Sequence, residues 1–128
     1  MGLKLSVHPI ERRYGSNEMR SIFELEARFQ KMLDVEAALA SGLAKAKMIP
    51  LADARKIFNS ASTKRVKVER ILELESEVYH ETMAVVLALA EASGSSGRYV
   101  HFGATSNDIL DTATALQIKA ALKIVERD

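Results

Sequence analysis

Between His101 and Asp108 the chain reads His-Phe-Gly-Ala-Thr-Ser-Asn-Asp, which sets an imidazole, a glycine and two hydroxyls directly ahead of an amphipathic segment. Thr105 is a good N-cap, and Asp108 occupies the acidic position of a capping box, so a long helix is expected to start here. The free N–H groups of such a helix end carry roughly half a positive charge and suit a carboxylate or phosphate. His101 adds a group that can carry a proton near neutrality. Gly103 permits close backbone approach, and Thr105 and Ser106 offer further donors. A purely structural alternative stands beside this one, in which Thr105 does no more than cap its helix.

Two other polar islands interrupt an otherwise helical pattern, each where a turn meets a helix. Arg12-Arg13-Tyr14 pairs guanidinium forks, which match phosphate oxygens, with a phenol ring that can stack on a base; the alternative is solvated charge beside a tyrosine that covers the core. In Tyr79-His80-Glu81, His80 is either a phosphate partner or general acid–base, or a helix-start histidine bonded to Glu77 or Glu81. His8, His80 and His101 are too far apart in sequence to make a zinc motif, and no metal ligand set is expected. Neither a GxxxxGK[ST] phosphate loop nor a GxSxG nucleophile elbow is present. What remains is acid–base or binding chemistry without a cofactor.

The elements that must position these islands are helices. With 48% hydrophobic but only 5% aromatic residues, the 128-residue chain should pack an aliphatic, alanine-rich core, and one domain or a piece of a larger protein is expected. Eighteen basic against 17 acidic residues leave a formal charge of +1, which argues against a general nucleic-acid or membrane-surface binder. The absence of cysteine excludes disulfides and fits a reducing compartment, and no apolar run is long enough for a membrane span or a secretory signal. A cytoplasmic location is the expectation.

Along the chain, the first fifteen residues show no helical period and read as an extended or coiled lead-in. Apolar residues from Ile22 to Ala46 recur at three- and four-residue steps. They predict one long helix, with Ser21 and Glu24 as its capping box, a stop enforced by Pro50 soon after Met48, and room for a short helical turn ahead of it. A shorter helix is expected from Leu51 to about Asn59, another resuming by Val68, and a third over Thr82–Ala92 that is apolar nearly all round and therefore buried. Gly94-Ser95-Ser96-Gly97 reads as a flexible loop, with Arg98-Tyr99-Val100 extended. The final helix lines Ile109, Ala113, Leu116, Ala120 and Ile124 on one stripe, with Leu110, Ala121 and Val125 widening it. It reaches Asp128 without a C-cap, which suggests a truncated helix.

Taken in order, the islands resemble those of the adenylosuccinate lyases of the fumarase/aspartase superfamily, and most of all their shorter archaeal-type members. Arg13-Tyr14 with Glu18-Met19 is similar to the family's N-terminal Arg-Tyr and Glu-Met, with Asn17 where a proline is usual. Tyr79-His80-Glu81 resembles an Arg-His-Asp segment, keeping the histidine. His101 to Asp108 resembles His-Tyr-Gly-x-Thr-Ser-x-Asp, with Phe102 for tyrosine. The resemblance implies an all-α fold, with residues 1–104 as the N-terminal helical domain and 105–128 as the start of a central-bundle helix. It implies a homotetramer with each active site built from three subunits. The reaction implied is elimination of fumarate from adenylosuccinate to give AMP, and from the succinyl-carboxamide ribotide, in purine biosynthesis.

By the same resemblance, Arg13 and Tyr14 would contact the nucleotide, and Tyr79, His80 and Glu81 would line the phosphate and ribose region. Thr105 and Ser106 would hold the succinyl carboxylates, and His101 would support catalysis by orienting or polarising substrate. The proton donor and the serine base would lie beyond Asp128, so the short chain alone would be inactive. Tyr79 brings no arginine charge, and Glu81 reaches one methylene further than the usual aspartate. Two other readings remain open: a superfamily lyase of argininosuccinate or aspartate type, and a non-catalytic helical module that oligomerises.

Overall fold

The computed structural model describes Ile10 and residues 13–128, among which there are helices and turns but no strand. The order is α1 (Asn17–Phe23), α2 (Leu25–Lys45), α3 (Leu51–Ser60), α4 (Val68–Val78), α5 (Glu81–Ser93), a 3-10 helix (Gly94–Tyr99) and α6 (Ser106–Arg127). This is the all-α class that the composition predicts. α2 is the spine: it packs against α3 and α6 and also touches α1 and α5. Its buried positions Phe29, Met32, Leu33, Glu36, Ala37 and Ala40 recur every three or four residues, as a core-facing stripe must. Ala84, Val85, Ala88 and Leu89 of α5 are buried in the same core and Val86, Leu87, Ala90 and Ala92 pack against it, leaving Met83 as the exposed apolar position.

The long helix expected from Ile22 is two helices. Ser16, not Ser21, caps the first, its Oγ accepting the Met19 N–H at 3.1 Å. The Ser21 hydroxyl instead donates backwards to the Glu18 carbonyl, and Glu24 is extended, with φ −63° and ψ 152°. Buried Gln117 on α6 meets the chain at the break: its side-chain amide donates at 2.8 Å to the Ile22 carbonyl. That group sits in the last turn of α1, where carbonyls lack helical partners. Neighbouring Leu116 and Ala120 are half-buried, while Ile109 and Ala113 join the core as expected.

α2 also ends earlier than Pro50 requires. The Met48 N–H donates to the Leu43 carbonyl at 2.9 Å and that of Lys47 to Ala44 at 3.0 Å, the bond pair of a Schellman motif with Lys47 left-handed at φ 59°. Pro50 then serves as the N-cap residue of α3. The Gly-Ser run read as a flexible loop is an ordered 3-10 helix. Buried Ser96 donates to Asp53 Oδ1 at 2.7 Å, and Gly97 lies so close to α5 that an added Cβ would stand 2.4 Å from the Ala90 carbonyl oxygen.

Much of the expected lead-in (residues 1–9, 11 and 12) lies outside the described residues. Where it is described, the Tyr14 N–H donates to the Ile10 carbonyl at 3.0 Å, one helical turn where the sequence shows no helical period. Among the described residues no helix is long and apolar enough to cross a membrane.

Candidate active site

The second and third islands meet. α4 ends at Tyr79, whose left-handed conformation (φ 52°, ψ 36°) turns the chain so that His80 becomes the N-cap of α5. His80 Nδ1 accepts the Met83 N–H at 3.1 Å, and its Nε2 lies 3.3 Å from Ser106 Oγ in the first turn of α6. Because Nδ1 must be bare to accept, the neutral ring carries its proton on Nε2 and donates it to Ser106. The serine hydrogen is then left to point at a ligand. Neither Glu77 nor Glu81 is the partner of His80. Tyr79 projects with 90% of its surface exposed, unlike a residue that packs.

Glu81, expected as a substrate contact, is engaged by a neighbouring helix. Its two carboxylate oxygens accept from Arg28 Nε at 2.6 Å and Nη2 at 2.9 Å, a bidentate pair that ties the start of α5 to α2. Those bonds from the Arg28 guanidinium hold the Glu81 carboxyl below the usual carboxylate range, although partial burial opposes them. The extra methylene of glutamate thus spans to a neighbouring helix. The mouth of α6 is closed as the spacing predicts: Thr105 and Asp108 form a capping box, with the Asp108 carboxylate accepting the Thr105 N–H at 2.9 Å.

His101 sits in a turn, its carbonyl accepting the Ala104 N–H at 3.2 Å, with Gly103 at φ 73° where a side chain would be strained. His101 itself is left-handed at φ 64°. Both its polar groups on one side go to Glu36 of α2: Nδ1 lies 2.6 Å from Oε1, and the backbone N–H donates to Oε2 at 3.1 Å. The Glu36 side chain is only 1% exposed. Burial pushes its carboxyl up from the ordinary value, while the bonds from His101 pull it down. Sequence reasoning missed Glu36. The available signal was its register, three residues after Leu33 and four before Ala40, on the core stripe rather than among the charged positions.

The described part of the first island, Arg13 and Tyr14, stands apart. Arg13 and Tyr14 are exposed, Tyr14 at 79%, so the tyrosine does not cover the core. They lead into α1, whose Glu18 accepts from both terminal nitrogens of Arg127 at 2.9 and 3.1 Å. At 1.5 Å per residue, Arg127 lies about 30 Å along α6 from Ser106. A groove of about 570 Å³ between α1 and α6, lined by Lys119, Lys123 and Arg127 among others, also lies toward this far end. Among the described residues no cluster of histidine and carboxylates is suited to a metal ion.

The family model described as "Lyase" matches residues 12–128. The chain belongs to the lyase family. Within the lyases, it is 58% identical over 124 residues to an adenylosuccinate lyase of Pyrococcus abyssi, covering 97% of this chain and 28% of that protein. It is 42% identical over 115 residues to an N-acetyl-S-(2-succino)cysteine lyase of Enterococcus italicus, covering 90% of this chain and 25% of that one. Its structure matches that of 3-carboxy-cis,cis-muconate lactonizing enzyme from Pseudomonas putida with a TM-score of 0.84 and 32% identity, over 93% of this chain and 28% of the other. The chain therefore spans roughly a quarter of the length of these lyase relatives.

Proposed function

We propose that this chain is the N-terminal part of an adenylosuccinate lyase that eliminates fumarate from adenylosuccinate to leave AMP, and acts likewise on the succinyl-carboxamide ribotide of purine biosynthesis. The observation that carries the reading is the 3.3 Å approach of His80 Nε2 to Ser106 Oγ, which joins two sequence islands at the N-termini of two helices. Donors from Thr105, Ser106 and the first turn of α6 are suited to the succinyl carboxylates. His80 orients Ser106, and Tyr79 and His80 face the phosphate and ribose. Glu81 holds the start of α5 through Arg28 rather than touching substrate. His101 supports substrate orientation. No cofactor enters this reaction: a base takes a carbon-bound proton beside a carboxylate, and an acid protonates the leaving nitrogen. Both groups belong to parts of the protein beyond this segment.

The separation of Arg13 and Tyr14 from the other islands supports an assembled site in which one subunit lends its nucleotide-binding island to another. The exposed apolar stripe Ile118, Leu122 and Val125 supports the same homotetramer, with residues 105–128 opening a longer bundle helix after the domain of residues 1–104. A cytoplasmic setting follows from such a role in nucleotide synthesis. The test is fumarate release from adenylosuccinate by the complete protein carrying this segment, with the 128-residue chain giving none above background. Ser106→Ala in the complete protein should lower turnover roughly hundred- to thousandfold, as loss of one positioned donor does. Unchanged kinetics would remove Ser106 from the site. The Enterococcus relative supports a second reading, a lyase for another succinyl compound; turnover of a succinyl thioether with none of adenylosuccinate would establish it instead.

A further inference from the structure

We infer that Glu36 is a positioning residue that fixes the protonation pattern of the His101 ring, so that Nδ1 carries a proton bound to Glu36 and Nε2 is presented to the ligand as an acceptor. The inference rests on the lyase reading for its catalytic consequence, though not for its geometry. Both oxygens of one buried carboxylate grip one residue, Oε1 at Nδ1 and Oε2 at the backbone N–H, across 65 positions of sequence. The backbone N–H can only donate, so Oε2 must accept. With Glu36 ionised, Oε1 of the same carboxylate accepts from Nδ1–H. Nε2, at the opposite edge of the imidazole, has no partner among the described residues, and the His101 side chain keeps 16% of its surface exposed. The left-handed backbone of His101 is the strained conformation that this double grip maintains, and strain of this kind is found where geometry serves function.

Glu36→Gln turns this argument into a measurement. An amide of the same shape has one acceptor. The fixed backbone N–H claims it, so the amide NH₂ faces Nδ1 and the ring must move its proton to Nε2. In nitrogen-15 spectra of histidine-labelled protein, wild-type His101 is expected to show a protonated Nδ1 and a bare Nε2, and Glu36→Gln a neutral ring protonated on Nε2. A bare Nδ1 in the wild type overturns the inference without any variant, even if Glu36→Gln fails to fold. An unchanged ring in a folded Glu36→Gln protein overturns it equally.

In the complete protein, Glu36→Gln should lower kcat on the order of ten- to hundredfold, as misplacement of a positioning group does. Adding it to His101→Asn, which tolerates the left-handed backbone, should lower kcat no further. A further loss in the double variant would make Glu36 a structural residue and overturn its action through His101. If the complete protein releases no fumarate at all, the lyase reading falls, and the nitrogen-15 result still decides the pairing.

Discussion

Glu36 and Glu81 are carboxylates on adjacent elements whose surroundings push them in opposite directions. Glu81 is held low by Arg28, so the stability it contributes is present above the ordinary glutamate range near pH 4.3 and is lost as pH falls through its depressed folded value. Glu36 is raised by burial, so its effect runs the other way, favouring the fold at low pH and weakening as pH rises through its raised value. Comparing wild type with Arg28→Met isolates the first effect. The midpoint of thermal unfolding in the variant should fall less steeply below about pH 4 than in the wild type, and parallel curves would show that the ion pair contributes nothing measurable. At this scale the sequence was legible where a residue's role is local. Thr105 and Asp108 could be paired by spacing, whereas the partners of Glu81, His80 and His101 lie 53, 26 and 65 residues away and leave no mark on neighbouring positions.

The helices were readable from their period and most of their stops from Pro and Gly-Ser runs, but the break at Glu24 was not. Apolar spacing runs from Ile22 through Leu25 to Phe29 without a turn residue, so the interruption at Glu24 leaves no local mark, and Gln117 from α6 bonds the Ile22 carbonyl beside it. The Gly-Ser run carries every local sign of flexibility, yet contact with Ala90 and Asp53 orders it. Two glycines test this difference between local and tertiary control. Gly97→Ala should destabilise by about 1–3 kcal/mol in urea unfolding, because the new methyl meets α5 backbone that cannot yield. Gly42→Ala, in an exposed helical position with open space, should stabilise by about 0.5–1 kcal/mol. Equal effects at both positions would mean that the 3-10 helix is not packed as described.

As a whole molecule the chain is a helical core with one long helix whose outer face is unfinished. Ile118, Leu122 and Val125 are 49%, 54% and 63% exposed at successive helical steps, while the opposite side of α6 is buried. If this stripe is covered in the proposed assembly, Leu122→Asp in the complete protein should shift sedimentation toward smaller species, and an unchanged profile would place the interface elsewhere. The all-α architecture could be foreseen from composition and period; the placing of Arg13 and Tyr14 at the far end of α6 could not, because it depends on where α1 lands. α1 has no buried residue, and its named side-chain ties to α6 span 95 and 109 positions. A seven-residue helix cannot hold itself in water, so this one depends on its packing against α2 and α6. It is therefore expected to form only once α6 is in place, and in hydrogen exchange its amides should open ahead of those in α2, at a rate set by its release from α6.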